Sequence, residues 1–265
     1  MAGAVDTDEQ RFRGPFPRTF DWARWPLSPR RLAAAICMLA FASALFRQGG
    51  AAVATATLVI VETGLLSLPW RLPRLDRSAR SFWAETLCGL IAPGGALIVL
   101  MLTNHDLATR LPDWWWFGVA VVVGAALLAV SGINVLAIRS GLLAFLMGPT
   151  PKAQGRARAF YTAVGPLGEE ALFRGVALTA APVAVTPIGL LAAVAFVARH
   201  HVPPGDNGRG TARSTITEIT AAVLLLALTV LSQSLLPALL AHVINNVPGV
   251  IIELQREDTG DPHTV

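Results

Sequence analysis

Apolar residues in this chain fall into long blocks instead of the spaced positions of a soluble amphipathic helix. A helix needs roughly 20 residues to cross a bilayer. Against that length, the blocks at 32–46, 51–70, 82–103 and 114–138 predict four spans, and those at 159–180, 186–201, 214–232 and 236–254 predict four more. A shorter apolar piece at 141–147 predicts a segment lying on the surface. The pattern describes an all-α, polytopic transmembrane helical bundle of about eight helices. The blocks at 32–46 and 186–201 are short for a span and call for a thinned bilayer or supporting neighbours. Most prolines fall near block ends, whereas Pro93 and Pro166 fall inside and predict bends.

Basic residues divide the connections into two classes. Arg11, Arg13, Arg18, Arg24, Arg30 and Arg31 precede the first block, and Arg71, Arg74, Arg77 and Arg80 follow the second. Arg139, Lys152, Arg156 and Arg158 follow the fourth, and Arg199, Arg209 and Arg213 lie at or after the end of the sixth. The alternate connections carry little beyond Arg47 and Arg110. This alternation predicts an even number of spans, with both termini in the cytoplasm and the chain in the cell membrane. Trp114, Trp115 and Trp116 stand on the positive-poor side, where indole rings anchor at the headgroups. The stretch before the first block lacks a small-residue cleavage site, so that block reads as a retained helix.

Composition agrees. Of the 265 residues, 54% are hydrophobic and 14% charged, against roughly 45–50% and 25% in a soluble domain. The mean hydropathy is +0.56. The net charge of +4 and the pI near 10.0 come from the short clusters between blocks, which suit topology and anionic lipid and do not point to nucleic acid. Cys37 and Cys88 both lie inside apolar segments and offer neither a disulfide framework nor a CxxC pair. The expected organisation is an N-terminal tail (1–31), N-terminal helices (32–158), a core of C-terminal helices (159–254) and a C-terminal tail (255–265), both tails being cytoplasmic.

The chemistry concentrates in the second half. Glu169, Glu170 and Arg174 sit in the apolar run Gly165-Pro-Leu-Gly-Glu-Glu-Ala-Leu-Phe-Arg-Gly175, and each ionised group near a bilayer centre costs about 2.5–3.5 kcal/mol on insertion scales. Residues four apart share a helical face, so Glu170 and Arg174 can pair while Glu169 points elsewhere, free for chemistry. Phe196 and His200 are likewise four apart, as are His242 and Asn246. One reading makes all of these a salt-bridged, hydrogen-bonded cluster that fixes helix packing. The other is hydrolysis. A desolvated carboxylate beside an imidazole can deprotonate a water, while a second histidine and an amide donate to the oxyanion. Glu169, His200 and His242 could alternatively form a His2Glu zinc site, although there is no HExxH. His200 lies near one end of its block and His242 about two turns from the opposite end of its own, so tilted or re-entrant helices, or a cavity open to the cytoplasm, have to bring them together.

Glu169-Glu170-Ala-Leu-Phe-Arg174, Phe196-Val-Ala-Arg-His200 and His242-Val-Ile-Asn-Asn246 resemble, in order, the EExxxR, FxxxH and HxxxN motifs of the CPBP family, the CAAX-protease and bacteriocin-processing intramembrane proteases. The resemblance covers about 160–248. It implies an intramembrane endopeptidase in which Glu169 is the base on water and His200 assists it. By the same resemblance His242 and Asn246 stabilise the oxyanion, and Glu170, Arg174 and Phe196 support the site. No metal is required in this mechanism. The implied partners are the lipid bilayer and a peptide or protein substrate, lipidated or not. His201, adjacent to His200, is the other candidate imidazole; helix phase with Phe196 favours His200. Two other functions are weighed: a non-catalytic immunity or scaffold protein, and a proton-coupled transporter, the latter disfavoured by the lack of internal repeats.

Overall fold

The computed structural model describes residues 28–67, 79–179, 185–202 and 212–256. Its elements are α1 (Pro29–Phe46), α2 (Ala51–Ser67), α3 (Ala79–Thr103), α4 (His105–Thr109), α5 (Trp115–Ser131), α6 (Val135–Arg139) and α7 (Leu142–Met147). They continue with α8 (Lys152–Glu170), a π-helical turn (Ala171–Gly175), α9 (Val176–Thr179), α10 (Val185–His201), α11 (Ala212–Ser232) and α12 (Leu236–Gln255). Among the described residues there is no strand, and eight helices have 17 residues or more. These eight correspond one to one with the predicted blocks.

Four of them are long and apolar enough to cross a membrane: Pro29–Phe46, Thr86–Thr103, Ser214–Ser232 and Leu236–Gln255. Ala51–Ser67 and Trp115–Ser131 are shorter apolar helices. Side chains such as Leu102, Leu190 and Leu231 are exposed, while Glu62, Glu169, Glu170, Arg174, Arg199 and His242 are buried. An apolar exterior around a polar interior is the distribution lipid imposes, and the chain is a multi-pass membrane protein.

Boundaries differ from the apolar blocks where local chemistry intervenes. Helix α1 starts at Pro29, with Ser28 Oγ accepting from the Arg31 backbone N–H and proline in the first turn. Helix α5 stops at Ser131 instead of running to 138, because Gly132 takes a left-handed φ of 67° and returns its N–H to Ala129 O. Asn134 then starts α6 separately. Helix α8 begins at Lys152, seven residues before the predicted 159, so Lys152, Arg156 and Arg158 are exposed residues within the helix. Helix propensity continued where hydropathy fell off. The 141–147 piece forms α7, with Phe145 and Leu146 exposed and Ala144 buried. The predicted residues 68–70 and 180, together with the N- and C-terminal tails up to 27 and from 257, lie outside the described residues.

Helix α8 occupies the middle, packed between α3 and α12. Helices α1 and α2 pair, α1 also packs on α10, and α11 contacts α5, α10 and α12. Two glycines permit the closest approaches. A Cβ on Gly124 of α5 would lie 2.8 Å from Ile244 Cγ2 on α12, and one on Gly168 of α8 would lie 2.5 Å from Pro93 on α3. Both predicted internal prolines, Pro93 and Pro166, sit inside their helices.

Candidate active site

The site is built on α8. Pro166 has no N–H to give to Thr162 O one turn back, and Asn246 Nδ2 of α12 donates to that carbonyl instead, at 3.2 Å. The same residue accepts from Asn245 Nδ2 at 3.4 Å. Asn246 is thereby held by the defect the proline creates, and one amide N–H remains for the cavity it lines. Beyond Glu170 the helix widens into the π turn Ala171–Gly175. Turns of this type are rare and frequently lie at functional sites.

Glu170 and Arg174 pair at 3.3 Å within this helix, and each is 1% exposed. His242 Nδ1 lies 2.7 Å from Glu170 Oε1, so the ring donates there. Its Nε2 lies 3.8 Å from Glu169 Oε2, beyond a direct hydrogen bond and suited to a bridging water. His200 Nδ1 lies 2.8 Å from Phe196 O. A carbonyl only accepts, so Nδ1 carries the hydrogen, and Nε2 of the neutral ring holds a lone pair. Phe196 joins these groups. Its ring lies 4.0 Å from the Arg174 guanidinium carbon, in cation–π geometry, and stands edge-on to His200 and His242.

Glu169 is not the unpaired carboxylate that helix phase suggests. Arg199 Nη1 donates to its Oε1 at 2.8 Å, Arg199 Nε to Glu62 Oε1 at 2.5 Å, and Arg199 Nη2 to Tyr161 Oη at 2.9 Å. Arg199 was expected among the loop charges that set topology; it is 6% exposed and belongs to the site. Glu62, Tyr161 and Arg199 are the residues that sequence reasoning missed. Glu62, alone in an apolar helix, was the readable signal, since an intramembrane carboxylate demands a partner.

These groups border a cavity of about 580 Å³, within the range of small-ligand sites. Glu169, Phe196, His200, His242 and Asn246 line it, with Tyr161 and Arg199, while Leu66, Ile133, Pro166 and Ala221 supply apolar wall. Glu170 and Arg174 lie behind it. Ser214, Thr217 and Glu218 of the first turns of α11 also line it, so the cavity spans the distance between His200 and His242. Just past α10, Val202 is buried, and Arg31 donates to its carbonyl at 2.8 Å and to Ser67 O at 3.1 Å. His201 does not line the cavity; it lies 3.0 Å from Glu218 and 2.9 Å from Arg30.

Oε1 of Glu169 already carries a guanidinium, and among the described residues no three of His, Cys, Asp and Glu are grouped to hold a metal ion. What the arrangement offers is a buried carboxylate, an imidazole lone pair and amide donors around one cavity.

Residues 157–248 match the family model described as Type II CAAX prenyl endopeptidase Rce1-like. No curated protein and no solved structure matches the chain. The matched segment runs from α8 to α12 and contains Glu169, His200, His242 and Asn246. In this multi-pass membrane protein, residues 157–248 form a segment similar to the Type II CAAX prenyl endopeptidase Rce1-like family.

Proposed function

We propose that the protein is an intramembrane endopeptidase that hydrolyses a peptide bond near the membrane surface with water activated by Glu169. The observation that carries the reading is the 3.8 Å separation of Glu169 Oε2 from His242 Nε2 in a cavity that also contains His200 and Asn246. A water bound there lies between a carboxylate and imidazole nitrogens. As its oxygen attacks the scissile carbonyl, its proton passes to Glu169, with His200 Nε2 holding the water in line. The tetrahedral oxyanion accepts from Asn246 Nδ2 and, when both ring nitrogens carry hydrogen, from His242 Nε2–H, the ring being oriented by Glu170 through Nδ1. Glu169 then returns the proton to the leaving amine nitrogen as the C–N bond breaks. Arg199 supports a reaction without a metal, since it supplies the positive charge that Glu169 needs in order to sit buried.

The substrate is a peptide or protein tail, lipidated or unmodified, reaching the cavity from the membrane. The orientation with both termini cytoplasmic agrees with the gathering of the starts of α1 and α11 and the ends of α2 and α10 at one end of the bundle, where Arg30 and Arg31 bind. Incubating the purified protein with a library of lipidated and unmodified peptides tests the reading. An endopeptidase produces new internal termini, detected by mass spectrometry. Persistent absence of cleavage from folded protein would favour a scaffold or immunity role.

A further inference from the structure

The reaction residues all come from α8, α10 and α12, yet the group that grips Glu169 is anchored from elsewhere. We propose that Glu62 and Arg199 form a positioning clamp for Glu169, so that α2, outside the Rce1-like segment, completes the site. The proposal rests on Glu169 being the base.

Each nitrogen of the Arg199 guanidinium is committed to a different partner: Nη1 to Glu169, Nε to Glu62 and Nη2 to Tyr161. A planar fork with three fixed partners has one orientation, and Glu169 Oε1 is fixed with it. The carboxylate then has one free oxygen, Oε2, on the side of His242. Without the clamp, the torsions of the Glu169 side chain would let Oε2 leave the line of attack. Glu62, 3% exposed, holds Arg199 from the opposite side. It belongs to α2, and the family match begins only at residue 157. The earlier helices therefore contribute a part of the site beyond covering it. Lysine at 199 would keep the charge but lose the fork, since an ammonium is a point charge without a fixed plane.

Glu62→Gln, Arg199→Lys and Glu169→Gln are purified beside the full-length wild type and compared for kcat, KM and Tm on a peptide that the wild type cleaves. Glu62→Gln leaves Arg199 and Glu169 as a neutral pair and is the variant that stays folded if Arg199→Lys does not. The clamp predicts Tm near wild type, KM within about twofold and kcat lower by about tenfold or more in both clamp variants, because small misplacements of a reacting group are costly. Folded clamp variants with wild-type kcat overturn it, provided Glu169→Gln is inactive. Losses that only track the folded fraction also overturn it, leaving a packing role. No cleavage by wild type, or equal cleavage by Glu169→Gln, overturns the endopeptidase reading and the clamp with it.

Discussion

Gly168→Ala probes how the fold aims its chemistry. A methyl group on Gly168 would lie 2.5 Å from Pro93 C and Cβ and 2.6 Å from Pro93 O. Carbon contacts settle at about 3.5–4.0 Å, so α3 and α8 must part by roughly 1 Å. The obstructing atoms are backbone and proline ring, which cannot rotate away. Overpacking of this kind costs about 1–3 kcal/mol, and the neighbouring residue carried along is Glu169. A displacement near 1 Å at a reacting group can cost about 10²-fold in rate. The expected result is a protein that folds with a lowered Tm and loses most of its cleavage. Gly64→Ala is the control, because a Cβ there meets nothing within 4 Å, and it should leave Tm and rate unchanged. Melting curves in detergent, read beside single-turnover cleavage, decide the matter. Wild-type Tm and rate in Gly168→Ala would refute the claim that the α3–α8 contact sets the position of Glu169.

Other expectations follow from the same geometry. Arg174→Ala leaves Glu170 buried beside His242 without its cation, which should cost about 3–5 kcal/mol and appear as loss of monodisperse protein on size-exclusion chromatography. Pro166→Ala supplies the N–H that Thr162 O lacks and so competes with Asn246; kcat should fall while Tm holds or rises, in kinetic and melting assays on one preparation. His200→Ala should abolish cleavage, whereas His201→Ala should retain it and weaken only the contact with Arg30 and Glu218, as matched cleavage and melting assays would report. Dialysis against a chelator should leave the cleavage rate unchanged, with residual metal assayed on the same sample.

The eight long helices were legible because bilayer length and hydropathy act on each block separately. Their ends were less so. Gly132 and the start at Lys152 are decided by local backbone conformation and helix propensity, to which an apolar window is blind. The three motifs located Glu169, His200, His242 and Asn246, which the fold gathers around one cavity. Arg199 was misread because a basic residue beside two histidines at a block end looks the same whether it faces water or turns inward. Only the tertiary placement of Glu62, 137 residues away in sequence, distinguishes the two. The bond between Asn246 and the carbonyl freed by Pro166 was hidden for the same reason: each residue had a local explanation, an interhelical amide and a bend, and the fold joins them.

The most direct test of the central claim is single-turnover cleavage by wild type and Glu169→Gln, both shown by melting to be folded. Glutamine keeps the size and the contact with Arg199 but removes the proton acceptor. If Glu169 activates the water, the wild type cleaves, and the variant remains folded and inactive. A folded Glu169→Gln protein cleaving at the wild-type rate would contradict the account.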